Sequence, residues 1–181
     1  WSKLEPTQGE YDAAYLQHIE DVLAWAHEYG LLVLVDWHQD VFGPAFPGFD
    51  GAPTWATRTD GHVFTPDPGN WFINYFDPAV KAAFTHLYGD ADLRQAQVDA
   101  WTYLADQLAG SPALLGYDLF NEPFWTSRTF EQDELPAMYD RLVAGIRAVD
   151  QRSWLWIEPT VLVGEGISPG LPGIDDPRHG A

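Results

Sequence analysis

The stretch Leu114–Trp125, LLGYDLFNEPFW, decides how the chain is read. An apolar run from Leu114 to Phe120 halts at Asn121-Glu122-Pro123. A short apolar run bounded by turn residues is the pattern of a strand buried on both faces. Pro123 cannot donate to a sheet ladder, and it biases Glu122 toward an extended backbone. Asn121 and Glu122 are therefore expected at the carboxyl end of an interior strand. In parallel α/β proteins that end is the rim where ligands bind. A carboxylate among Phe120, Phe124 and Trp125 is a candidate general acid, because apolar walls disfavour its charged form. Asn121 both donates and accepts, so it can hold a substrate hydroxyl or orient the acid. Taken alone, the tripeptide also fits an exposed polar turn after a core strand, since perturbed carboxylates occur in structural networks too.

Two further runs repeat the pattern. Leu31–Val35 is wholly apolar and ends in Asp36-Trp37-His38-Gln39-Asp40. Ser153–Ile157 ends in Glu158-Pro159. Helical periods lie between them: Ala13–Tyr29, with Tyr15, Ile19, Val22 and Ala26 on one side; a short helix from Pro78 to about Tyr88; another over roughly Asp92–Leu108, with Val98, Trp101, Ala105 and Leu108 inward; and roughly Leu135–Val149, with Leu135, Met138, Leu142, Ile146 and Val149 inward. Asp12 and Asp77 are the expected N-caps, the latter followed by Pro at the first helical position. Strands alternating with helices predict a parallel α/β sheet. All three strand ends carry a carboxylate, as the catalytic face of a (β/α) barrel does. His38 and Asp40, two residues apart, suit binding to substrate hydroxyls. Asp36 reads as structural, and acids such as Glu20, Asp21 and Asp99 as solvated helix faces.

Val41–Asp77 is a long segment punctuated by Gly and Pro and rich in aromatics, including Phe42, Phe49, Trp55, Trp71 and Phe76. Loops of this length are functional or disordered, and the aromatic content opposes disorder. We read it as the wall of a cleft, against the alternative of a packed loop without a ligand.

Composition narrows the partners. A net charge of −18, from 9 basic and 27 acidic residues, opposes binding to nucleic-acid backbones and to anionic membrane surfaces. No apolar run is long enough to span a bilayer, so no stable membrane insertion is expected. The absence of cysteine excludes disulfides and thiol chemistry; it fits an intracellular protein or a disulfide-free secreted one, of which we expect the latter. His62, His86 and His179 match no metal spacing, and no metal or other cofactor is expected. The nine tryptophans suit sugar stacking as well as core packing. No glycine-rich phosphate loop follows any strand, which opposes a nucleotide-binding domain.

Paired carboxylates on a barrel rim suit glycoside hydrolysis, whose oxocarbenium-like transition state needs a protonated acid at the leaving oxygen and a carboxylate opposite. The motifs resemble glycoside hydrolase family 5, the cellulase family, in its endoglycoceramidase-like members. LLGYDLFNEPF resembles the strand bearing the acid/base, VLVDWHQD the preceding strand, LEPTQGEYDAAYL the loop entering a helix, and the EP after WLWI the next strand end.

The resemblance implies a (β/α)8 TIM barrel, of which this α/β chain would cover roughly strands three to five as part of one catalytic domain. It implies that Glu122 is the general acid/base and that Asn121 binds the sugar 2-hydroxyl. His38 and Asp40 would bind hydroxyls beside the scissile bond, and Glu158 would be a rim residue without a chemical step. The family nucleophile is a glutamate on the seventh strand, so it is expected outside this chain. Glu158 or Glu165 would otherwise have to serve, against the family order. The implied activity is retaining hydrolysis of a glycoconjugate or oligosaccharide, with the glycan–ceramide bond of glycosphingolipids as the leading substrate. The alternatives are a β-glucosidase, cellulase or mannanase, or a barrel that binds carbohydrate or lipid without catalysis. The chain opens on Trp1 and reads as beginning inside a fold.

Overall fold

The computed structural model describes residues 1–124 and 126–178. The sheet has three strands, β1 (Val33–Asp36), β2 (Leu114–Asp118) and β3 (Trp154–Trp156), in the order β1-β2-β3. Both pairings are parallel, as the alternation of strands and helices requires. Four helices accompany them: α1 (Ala13–Glu28), α2 (Pro78–Gly89), α3 (Ala91–Leu108) and α4 (Glu134–Val149). Asp12 caps α1 through bonds from the Ala14 and Tyr15 N–H groups, and Asp77 caps α2 ahead of Pro78.

The strands are shorter than the apolar runs that announce them. Leu31 and Leu32 precede β1 and are largely exposed, and β2 ends before Leu119 and Phe120. The ladder nevertheless continues past the strand ends. Trp37 N–H donates to the Asp118 carbonyl at 3.0 Å, and Leu119 N–H donates to the Trp156 carbonyl at 3.1 Å.

Burial on both faces does not hold for the outer strands. Leu34 pairs with Gly116 and Gly116 with Trp154, while Asp36 pairs with Asp118 and Asp118 with Trp156. These residues share one face, and on it Leu34, Trp154 and Trp156 are exposed. The opposite face, carrying Val35, Tyr117 and Leu155, packs into the core beneath the helices. Tyr117 is fully buried, its ring 5.5 Å from Trp101 of α3 and its hydroxyl donating to Asp150 at 2.9 Å. α3 and α4 close this side with Leu93, Trp101, Leu104, Leu135, Leu142 and Ile146. A run of apolar residues specifies a strand, but what covers each face depends on the rest of the sheet.

The buried stripe of α1 is Leu16, Leu23 and Ala26; Tyr15, Ile19 and Val22 flank it half-buried, one step around from the expected face. The inward faces of α3 and α4 follow the expected period, with Val98 and Val149 at their margins. The segment 41–77 holds two 3-10 turns, Thr54–Ala56 and Trp71–Phe76. Much of it is core: Phe42 stacks edge-on against Phe84 at 5.1 Å, and Tyr75 lies flat on Phe124 at 5.1 Å. Arg58, on the same segment, forms ion pairs with Asp90 and Asp92 at the start of α3.

Candidate active site

The site sits where β1, β2 and β3 end. Asn121 N–H donates to the Trp37 carbonyl at 3.2 Å, and Asn121 Nδ2 donates to the Gln39 carbonyl at 3.0 Å. The loop after β2 is thus tied to the loop after β1. Among the described residues no donor meets Asn121 Oδ1, which leaves that oxygen for a ligand hydroxyl.

Glu122 has φ +43°, in the left-handed region that non-glycine residues seldom occupy. The extended backbone expected from Pro123 is therefore overturned. The peptides on either side explain how the conformation is held. Gln39 is buried beneath the rim, and its Nε2 donates to the carbonyls of Asn121 and Glu122 at 3.1 and 3.0 Å. Its Oε1 accepts from Phe42 N–H at 3.0 Å. The Glu122 N–H donates to Glu158 Oε2 at 2.8 Å. Such strained positions cost about 1–3 kcal/mol and persist only where the surroundings over-determine them.

His38 bridges two acids, Nδ1 to Asp36 at 2.8 Å and Nε2 to Asp40 at 3.2 Å. Only the doubly protonated ring donates from both nitrogens. Partial burial pushes its pKa down, but the bonds and charges of Asp36 and Asp40 outweigh that, and the net shift is upward. Asp36, read from the sequence as structural, is thus the partner of His38. Glu122 is also raised, first by burial and then by the charges of Glu158 and Asp40, with His38 opposing. Its proton is held to higher pH than a free glutamate would hold it, as an acid catalyst requires. The residues that act on it are those of the rim, not the helix-borne acids.

Two cavities flank this group. One of about 170 Å³ is lined by Trp1, Tyr15, Asp36, His38 and Asp50. The other, about 260 Å³, lies between Asp40, Phe49, Asp50 and the exposed Trp71. The aromatic excursion therefore both packs into the core and presents Trp71 beside Asp40. A larger cavity of about 480 Å³, around Gly110, Pro112, Leu115 and Trp154, lies at the amino end of β2 and β3, away from the acids. Trp125, part of the expected aromatic setting, and His179 lie outside the described residues. Glu165 is exposed after the last 3-10 turn, Val161–Val163.

Two residues of the site escape a reading of local sequence. Gln39 holds the Glu122 carbonyl from 83 positions away, and nothing in its neighbourhood announces that bond. Asp118 is concealed within an apolar run. Its signal is an acid in register with Asp36, each four residues before a rim acid, Glu122 and Asp40 respectively.

Parallel strands ending in carboxylates, with an acid on the rim whose proton affinity is raised, match the pattern of a glycosidase-type barrel rim. The profile of the cellulase family, glycosyl hydrolase family 5, matches residues 1–178, and the chain belongs to that family. It is similar to the endoglycoceramidase of Hydra vulgaris, 31% identical over 84% of this chain and 36% of that protein. Endoglycoceramidase I of Rhodococcus hoagii is 29% identical over 87% of this chain and 34% of that protein. The structure of endo-glycoceramidase II from Rhodococcus sp. in complex with ganglioside GM3 superposes with a TM-score of 0.93 at 37% identity, covering 100% of this chain and 44% of that one. The sheet is thus part of a TIM barrel. The chain spans about a third of the length of the curated relatives it matches.

Proposed function

We propose that this chain is a section of the single catalytic barrel domain of a retaining glycoside hydrolase, acting on the bond between glycan and ceramide in glycosphingolipids. The observation that carries the reading is Glu122, held in a strained backbone on the rim with its proton affinity raised by burial and by neighbouring acids. Glu122 donates a proton to the leaving oxygen and later, as carboxylate, takes one from water. Asn121 Oδ1 accepts from the sugar 2-hydroxyl. His38 and Asp40 hold hydroxyls of the same sugar, with Asp36 fixing the imidazole. The second carboxylate is the family's nucleophile, supplied from outside these residues. Glu158 is an acceptor for the Glu122 N–H rather than a nucleophile. Trp71 and Phe49 form an aromatic platform beside Asp40 for a sugar or an apolar aglycone.

The names of the similar proteins support a glycolipid substrate, and the cellulase profile supports a second reading, hydrolysis of a β-glucan. Assays of the full-length enzyme with a ganglioside, glucosylceramide and cellulose side by side separate the two. The acid assignment is tested with Glu122→Gln, which keeps shape and removes the proton. General acid–base catalysis contributes about 10²–10⁴-fold, and the glycolipid should lose activity on that scale. An aryl glycoside with a good leaving group needs less protonation and should lose less in the glycosylation step. Equal losses for both would count against the assignment.

A further inference from the structure

Asp118 lies one layer below the acid. It closes β2, in register with Asp36 on β1 and Trp156 on β3. Its Oδ1 is buried and meets no donor among the described residues. Glu158 acts on its carboxyl both as a neighbouring charge and as a hydrogen-bond partner. Two ionised carboxylates cannot form such a bond, so a bond between them requires a proton on one. Glu158 Oε2 takes the Glu122 N–H at 2.8 Å, a bond that favours its charged form, whereas the buried Asp118 Oδ1 has no donor among the described residues to stabilise a charge. The Glu158 backbone is fixed as well: the Tyr139 hydroxyl of α4 donates to the Glu158 carbonyl at 2.7 Å.

We propose that Asp118 is a positioning residue for Glu122: it carries the proton of the pair, donates it to Glu158, and so holds the Glu158 carboxylate against the Glu122 backbone N–H. The groups that face Asp118 agree with this placement of the proton. They are Asp36 from β1, Glu158 after β3 and Tyr139 from α4. Burial first, then Glu158 and Asp36, push the Asp118 carboxyl up to about 7. The consequence reaches the catalytic acid in two ways. The left-handed turn at Glu122 is held from its N–H side, and a single negative charge stays beside the Glu122 carboxyl, favouring its protonated form.

This inference rests on the acid/base reading of Glu122, and the test separates the two. In the full-length enzyme, Asp118→Asn retains a donor to Glu158 and should hold kcat on the glycolipid within about threefold, the scale of one ordinary hydrogen bond. Asp118→Leu has no donor. It should lower kcat on the glycolipid about 10–100-fold with KM little changed, and lower turnover of an activated aryl glycoside much less, a partial form of the 10²–10⁴-fold acid effect. Equal losses on both substrates, or Asp118→Asn as damaged as Asp118→Leu, would overturn the positioning role. If Glu122→Gln itself fails to discriminate between the substrates, the acid/base reading falls and this inference with it. If Glu122→Gln discriminates and Asp118→Leu does not, only the inference falls. Infrared difference spectroscopy decides the matter even if Asp118→Leu does not fold. The isosteric Asp118→Asn should remove one protonated-carboxyl band present in the wild type below neutral pH, and an unchanged spectrum refutes the shared proton.

Discussion

The two faces of the sheet differ sharply. Beneath the helices, Tyr117, Trp101, Leu135 and Ile146 are sealed from solvent. On the other face, Trp154 is 58% exposed and Leu34 37%. Both faces are built from the same three strands, the covered one with Val35, Tyr117 and Leu155 and the open one with Leu34, Asp36, Gly116, Asp118, Trp154 and Trp156. What differs is the cover, since Trp101 of α3 and the core packed with it lie on the Tyr117 side. A barrel buries its inner face only by closing, with each strand's lumen residues packed by the others'. The exposed tryptophans and the acids Asp36 and Asp118 share that inner face, so the face that lacks cover is also the one that leads up to the rim bearing the candidate acid.

The largest expected effect tests whether the open face is a surface or a core. Expressed alone, the 181-residue chain is expected to self-associate or to melt without cooperativity. Two unpaired strand edges and an uncovered apolar face remove contacts worth more than the usual stability of about 5–15 kcal/mol. Size-exclusion chromatography with a thermal melt gives the answer, and a monomer that melts cooperatively would break the comparison.

In the full-length protein the two faces should become equivalent. Trp101→Ala, on the helix side, should cost about 3–5 kcal/mol, and Trp154→Ala about the same despite its exposure in this chain. Denaturant midpoints of the two variants decide. A cost under about 0.5 kcal/mol for Trp154→Ala, the range of ordinary surface substitutions, would mean that no strand covers it.

Gly116 sharpens the point from the open side. It pairs with Leu34 and Trp154, and a Cβ there would collide with the Trp154 carbonyl oxygen and the Trp156 ring. Gly116→Ala should therefore cost about 1–3 kcal/mol through overpacking, although neighbouring side chains are exposed. A melt unchanged from wild type would show that β2 and β3 can separate without penalty.

The smallest effect concerns His38, half exposed on the open side. Asp36 and Asp40 raise its pKa against the opposing pull of burial. Because the folded value lies above the unfolded one, of about 6.5, the stabilisation is full below that value. It disappears as pH rises through the folded pKa. An NMR titration should find the His38 pKa lowered in Asp36→Asn and less so in Asp40→Asn, whose bond is longer at 3.2 Å against 2.8 Å. The reverse order would reassign the dominant partner.

The rim was legible because its signals are local. An apolar run that stops at a carboxylate marks a strand end, and three such ends in a βα alternation place Glu122, Asn121, His38, Asp40 and Glu158 on one side of a parallel sheet. The resemblance of GYDLFNEPF and VLVDWHQD to family 5 could be read for the same reason, since both motifs are contiguous. The parallel order, the helix positions within a few residues and the candidate acid all follow from periodicity and turn chemistry.

What the tertiary structure decided is whatever depends on partners far along the chain. The left-handed backbone of Glu122 contradicts its local Pro signal, because Gln39 and Glu158 grip its carbonyl and N–H from 83 and 36 residues away. Asp118 disappears into an apolar run until β1 and β3 bring Asp36 and Glu158 against it. Which face of the sheet is covered is equally unreadable from a strand's own residues. Side-chain periodicity says that a residue points to one face or the other, whereas burial, strain and proton affinity are set by what the fold brings to meet it.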